Sequence, residues 1–292
     1  MHRYSSLIAL AGAAVLAACS PKEAAKDTTK VAQAGAPAAA TAMYDPGTRT
    51  ATVHAKDFAF VAPDTIPAGW TTFRFLNDGP SLHHLQLARL DSGKTMADLA
   101  AALKNPGPPP AWMTLVGGPN APNPTTESNG TLNLEAGNYV MLCFVDVPDH
   151  VPHFAKGMMH ALTVTSATAT GAEPTADATV TLADYTFKVT GALAAGRHSI
   201  KVENNGPQPH EVELIRLAPG KTTKDVVAWS AKFDGPPPGD AIGGMAVLAT
   251  GRSGTFTVDL TAGNYGFICF VPDAKDGKPH LVHGMVQDFK VN

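Results

Sequence analysis

The chain has 292 residues, 44% of them hydrophobic and 16% charged, with a formal net charge of −3. That length suits two domains of ordinary size, and so few charges exclude a disordered chain. No basic run is present, which excludes nucleic acid as a partner.

The first stretch is a leader. Met1–Ser20 has a short basic start and an apolar core too short to span a bilayer comfortably. Its end, Leu16-Ala17-Ala18-Cys19, resembles a bacterial lipoprotein signal. The resemblance implies removal of residues 1–18 and lipidation of Cys19. Ser20 after the cysteine then favours the outer membrane, with the protein facing the periplasm and held to the membrane by its lipid. Residues 19–48, rich in Ala, Thr, Lys and Pro without apolar periodicity, are expected to be a flexible tether. The other two cysteines, Cys143 and Cys269, fall at equivalent points of separate repeats, so no disulfide is expected.

The rest of the chain is one unit written twice. Ala51–Thr95 aligns without a gap on Ala178–Thr222, sharing Asp57/Asp184, Asn77/Asn204, Gly79/Gly206 and His83/His210. The expected domains are 49–166 and 176–292, joined by a linker at 167–175. Each opens with a strand, Thr52–Phe60 or Thr179–Phe187. A second strand ends at Asn77-Asp78-Gly79 or Asn204-Asn205-Gly206. Strands from His83 and His210 come next. One helix then interrupts each unit, over Thr95–Lys104 and Thr222–Lys232, and stops before a Pro-rich loop. Further strands start at Gly130 and Gly254 and at Tyr139 and Tyr265, and the last runs to Val164 or Val291. Short strands between turn signals, with 27 Gly and 24 Pro, predict an all-β fold of two tandem β-sandwiches.

Strand alternation selects the inward side chains. His83, Leu85 and Leu87 share one face, as do His210, Val212 and Leu214, so His83 and His210 are expected to point into the core and His84 and Glu211 out of it. Cys143 shares its face with Met141 and Tyr139, and Cys269 with Phe267 and Tyr265. After each Cys a loop returns with His and Met in the order Cys-x9-10-His-x4-Met: Cys143, His153, Met158 and Cys269, His280, Met285. Pairing the two copies selects His153 over His150 and Met158 over Met159. The other histidines (His54, His84, His150, His160, His198, His283) do not recur at matching positions and read as surface residues. Thiolate, imidazole and thioether are the soft ligand set that suits copper.

The pattern Asn-x-Gly-Pro-x-x-His followed by Cys-x9-10-His-x4-Met resembles the cupredoxin, or blue copper, family, and the resemblance covers nearly all of residues 50–292 twice. It implies Greek-key sandwiches and one copper per domain: a type-1 site of His83, Cys143, His153 and Met158, and another of His210, Cys269, His280 and Met285. The sequence departs from plastocyanins and azurins after the first histidine, where His84 or Glu211 stands in place of Asn. Two-domain copper enzymes of this family carry His beside the Cys; here the neighbours are Leu142 and Phe144, Ile268 and Phe270. With no His-x-His pair for a second copper, the chain is expected not to be an enzyme. The expectation is a copper lipoprotein of the cell envelope that transfers electrons to or from a redox partner protein, or handles copper. The alternatives are a copper carrier or storage protein without redox duty and a copper-free binding or scaffold module.

Overall fold

The computed structural model describes residues 43–104, 109–146, 151–168 and 171–292. Cys19, His150 and the leader lie outside the described residues. The described residues belong to one compact unit, and among them no helix is long and apolar enough to cross a membrane. The described residues are all-β with two short α-helices.

The opening segment of each repeat is a hairpin rather than one strand. In the first repeat β1 (Tyr44–Asp45) and β3 (Ala59–Val61) both pair antiparallel with β2 (Thr50–Lys56), and β2 runs parallel to β4 (Thr65–Asn77). Tyr44–Asp45, expected in the tether, is thereby part of the sheet. The chain turns back at Asp57-Phe58, where the alternation that buries Val53 and Ala55 is interrupted. β5 (Gln86–Leu90), α1 (Met96–Ala102), β6 (Met113–Gly117), β7 (Glu127–Leu134), β8 (Gly137–Leu142) and β9 (Met159–Thr168) follow. One sheet is β2-β4-β7 and the facing one β6-β5-β8-β9.

The second repeat has the same plan. β10 (Ala178–Ala183) and β11 (Thr186–Thr190) make the hairpin, turning at Asp184-Tyr185, and β12 (Gly196–Asn204) and β15 (Ser253–Leu260) extend that sheet. The facing sheet is β14 (Gly239–Leu248), β13 (His210–Leu217), β16 (Gly263–Ile268) and β17 (Val286–Val291), with α2 (Thr223–Ser230) between β13 and β14. Both helices start on a capping box, Thr95 with Asp98 and Thr222 with Asp225, which satisfies N–H groups that a first turn leaves open. They end shorter than the sequence suggests, at Ala102 and Ser230.

β6 and β14 are absent from the elements that the sequence predicts, and they are what join the repeats. β6 pairs with β14 at Val116 and Leu248, and β7 pairs with β15 at Thr131 and Thr255, so both sheets continue from one repeat into the other. One apolar cluster accordingly runs from Val116 and Leu132 to Val212, Met245 and Leu248.

This junction corrects the expectation that His84 and Glu211 point out to solvent. Both are buried, with 6% of their surface exposed, and so are Gln86 and Glu213. The strand face opposite the main core carries a second apolar cluster, including Ala88, Leu99 of α1 and Val247 from the other repeat. Gln86 donates from its side chain to the Val247 carbonyl at 3.0 Å. Alternation identifies the two faces but not which is wet, and here neither is.

Candidate metal centres

Each repeat brings three side chains to one point. The histidine that opens the site follows a tight turn set by a buried asparagine. Asn77 donates to the carbonyls of Ser81 (2.9 Å) and Pro122 (3.1 Å) and accepts from the Gly79 N–H. Asn204 donates to Gln208 (2.9 Å) and Leu248 (2.8 Å) and accepts from Gly206. The glycine leaves room for the imidazole: a Cβ on Gly79 or Gly206 would stand 2.7 Å from Nε2 of His83 or His210. In the first repeat His83–Leu85 precede β5, whereas His210 begins β13.

The cysteine directly follows β8 or β16, and the second histidine opens a 3-10 turn, His153–Lys156 or His280–His283. Each turn is tied to the cysteine strand. The Phe154 N–H donates to the Cys143 carbonyl and the Leu281 N–H to the Cys269 carbonyl, both at 2.9 Å. Gly157 (φ 103°) and Gly284 (φ 96°) close the turns in the left-handed region that glycine enters freely. The next residue's N–H, from Met158 or Met285, returns to the histidine carbonyl at 3.0 Å. One 3-10 turn and its glycine cap thus account for the His-x4-Met spacing.

In the first site Nδ1 of His83 and Nδ1 of His153 are 2.9 Å apart, with Sγ of Cys143 3.5 Å from Nδ1 of His153. In the second, Nδ1 of His210 and His280 are 3.0 Å apart and Sγ of Cys269 is 3.3 Å from His280. All six residues are buried, as are Met158 and Met285, which lie in the same apolar cluster as the cysteines. Met159, by contrast, is half-buried and packs with the second cluster.

A ring of supporting groups fixes these side chains. Asp57 accepts from Nε2 of His83 at 2.9 Å, and Asp184 from Nε2 of His210 at 2.7 Å. With its proton on Nε2, each ring turns the Nδ1 lone pair toward the thiol and the partner imidazole, as in carboxylate–histidine–metal arrangements. The His84 N–H donates to Sγ of Cys143 at 3.4 Å, and the Glu211 backbone does the same for Cys269. The departures after the first histidine have a shared role: the Phe144 N–H donates to Nε2 of His84 (3.1 Å), and the Phe270 N–H to Oε1 of Glu211 (2.9 Å).

Burial sets the protonation of both donor sets. It pushes the Cys143 thiol up to about 12 and raises Cys269 as well. It lowers His153 and His280 to about 4, helped by the neighbouring imidazole of each pair. Two neutral imidazoles and a thiol with backbone donors aimed at its sulfur make a donor set that a soft cation satisfies together, releasing the thiol proton. The residues present therefore fit copper.

The aspartates at the hairpin turns recur in the sequence, but nothing there gives them a role. The remaining described histidines other than His84 pair with carboxylates outside the two sites: His54 with Asp78, His160 with Asp64, His198 with Asp177 and His283 with Asp276. A third group of metal-capable atoms, from Asp273, Asp276 and His283, lies within 4.8 Å. Asp273 there already accepts from Tyr185, Gln208 and the Lys275 N–H, which hold its carboxyl well below the usual range.

No family model and no curated protein matches the sequence. Among solved structures, dithionite-reduced auracyanin from the photosynthetic bacterium Roseiflexus castenholzii is similar at 23% identity and a TM-score of 0.27, over 40% of this chain and 97% of that one. A multicopper oxidase is similar at 12% identity and 0.24, over 84% and 89%. Copper nitrite reductase from Nitrosomonas europaea is similar at 14% and 0.24, over 83% and 94%. The expectation that the chain is not an enzyme is corrected on this ground, since the structures matched over most of its length include an oxidase and a reductase.

Proposed function

We propose that the protein binds two copper ions, one through His83, Cys143, His153 and Met158 and the other through His210, Cys269, His280 and Met285, and serves electron transfer or copper handling in the cell envelope. The observation that carries this reading is the convergence, twice, of two imidazole Nδ1 atoms and a thiol, each first histidine being held from behind by an aspartate. Met158 and Met285, buried in the same apolar cluster as the cysteines, would add a thioether to each donor set. Copper bound there would supply one-electron exchange between Cu(I) and Cu(II).

The chain's own groups make that exchange easy. The asparagine turns, the 3-10 turns and the aspartates fix the donors before metal arrives, which limits rearrangement between oxidation states. Burial excludes water from both sites. The leader and the Leu16-Ala17-Ala18-Cys19 sequence support export, a lipid on Cys19 and a periplasm-facing position at the outer membrane, with a tether that ends before β1 at Tyr44 and with the two repeats, up to residue 166 and over 176–292, as the two copper domains. A redox partner protein in the same compartment completes the reading.

The test is Cu(II) titration of the full chain. Two equivalents are expected to bind with an intense thiolate-to-copper absorption band, and Cys143→Ser plus Cys269→Ser is expected to abolish it. Colourless binding of Cu(I) alone would replace electron transfer by copper carriage, and no stoichiometric binding would sink the copper reading.

A further inference from the structure

The junction between the repeats is close to two-fold. The Asn120 N–H donates to the Gly244 carbonyl at 3.2 Å, and the Ala246 N–H donates to the Gly118 carbonyl at 2.8 Å. A Cβ on Gly118 would collide with the Leu85 oxygen, and one on Gly244 with the Val212 oxygen. Asn120 and Ala246 therefore hold matching places, one beside each histidine strand. Other contacts across the junction are matched too. Gln86 donates to the Val247 carbonyl, and Glu213, in the place of Gln86, accepts from the Ala121 N–H.

One contact is not matched. Asn120 is 2% exposed, and its side-chain amide reaches into the second repeat, donating to Oε2 of Glu211 and to the Val212 carbonyl, both at 3.2 Å. Its Oδ1 accepts from the Ala121 N–H at 3.0 Å, which fixes the direction of the amide. Ala246, in the matching place, has a methyl group that can donate nothing. What Asn120 holds is a clamp on Cys269. The Glu211 N–H donates to Sγ of Cys269, and Oε1 of Glu211 accepts from the Phe270 N–H at 2.9 Å, so one residue grips the cysteine segment at two points. A glutamate side chain has several torsions to fix, and tying its second oxygen fixes them. In the first repeat the same N–H, that of Phe144, donates to the His84 ring at 3.1 Å, and that ring packs against the Phe144 ring.

We infer, on the basis of the copper reading above, that the second site is assembled by both repeats: Asn120 of the first repeat is a positioning residue for the copper site of His210, Cys269, His280 and Met285, and it acts through Glu211. Outer groups of this kind hold the residues that hold the metal. The dependence through this amide runs one way, since Ala246 cannot return it to the first site. Copper binding at the second site therefore needs the junction intact.

The experiment uses full-length protein with Asn120→Ala in two backgrounds, Cys143→Ser, which keeps only the second site, and Cys269→Ser, which keeps only the first. Each is titrated with Cu(II), the thiolate-to-copper band is recorded, and affinity is taken from competition against a chelator. Asn120→Ala is expected to weaken the second site by about tenfold or more and to shift its band. The first site, in the repeat that carries the substitution, is expected to keep its affinity and its band. Adding Glu211→His to the Cys143→Ser protein is expected to abolish the effect of Asn120→Ala, because an imidazole there takes the Phe270 N–H as His84 takes that of Phe144. An unchanged second site, an equal loss at both sites, or the same loss in the presence of Glu211→His would overturn the inference and leave copper binding standing. Absence of the band from both single-site proteins with Asn120 intact would overturn the copper reading and this inference with it. Should Asn120→Ala fail to fold, Asn120→Ser, too short to bring a donor to Glu211, replaces it with the same expected outcomes.

Discussion

At the scale of single residues, the sites depend on groups that never touch the cation position. Asp57 and Asp184 reach their histidines from hairpin turns far away in sequence, at 2.9 and 2.7 Å. Each fixes a ring orientation and a tautomer, and outer partners of this kind typically contribute ten- to a hundredfold in metal affinity. Asp184→Asn is therefore expected to weaken copper binding at the second site by about 10–100-fold, with the first site unchanged. Competition against a chelator measures the second site in the Cys143→Ser background and the first in the Cys269→Ser background, and unaltered affinity at the second site would remove the aspartate from it. The donors are legible in the sequence because cysteine, histidine and methionine are uncommon and recur in order. The aspartates are mute there because an acidic residue at a turn is ordinary, and only the folded hairpin shows what it faces.

At the scale of elements, turns decide whether the donors arrive. The Asn77 and Asn204 turns are legible as strand ends, yet their depth is not: both asparagines are buried and each ties three backbone groups. Asn204→Ala leaves the Gln208 and Leu248 carbonyls and the Gly206 N–H without that partner. A loss of roughly 1–3 kcal/mol is expected for each group that stays dry, read as a lower urea midpoint at unchanged slope; a change within error would mean that water replaces the amide. The strands β6 and β14 are hidden from the sequence for a related reason. Met113–Gly117 is short, and Gly239–Leu248 begins with Gly and Asp and contains Gly243-Gly244, which signal loops when read locally. Pairing with each other and with the histidine strands makes them strands, and that pairing is long-range information.

At the scale of the whole molecule, the junction between repeats buries acids. Glu213 is 5% exposed; its Oε2 accepts from the Ala121 N–H at 3.2 Å, and Oε1 has no hydrogen-bond partner among the described residues. Glu211 stands next to it, accepting from Asn120 across the junction. Burial, reinforced by the repulsion of Glu211, raises the Glu213 carboxyl well above its ordinary 4.5. Folded protein thus keeps this proton while unfolded chain gives it up. The stabilisation is complete below about pH 4.5 and is lost as pH rises through the raised value, by up to roughly 1.4 kcal/mol per pH unit. The buried imidazoles act in the opposite sense, since their lowered values favour the folded state above 6.5 and disfavour it as pH falls. A comparison with Glu213→Gln cancels that contribution, because both proteins carry the same histidines. The variant is expected to match wild type near about pH 4.5 and to exceed it increasingly toward about pH 8, as urea midpoints at several pH values would record. A constant difference across the range would mean that Glu213 is ionised in the fold, and that the junction holds a charge rather than a proton.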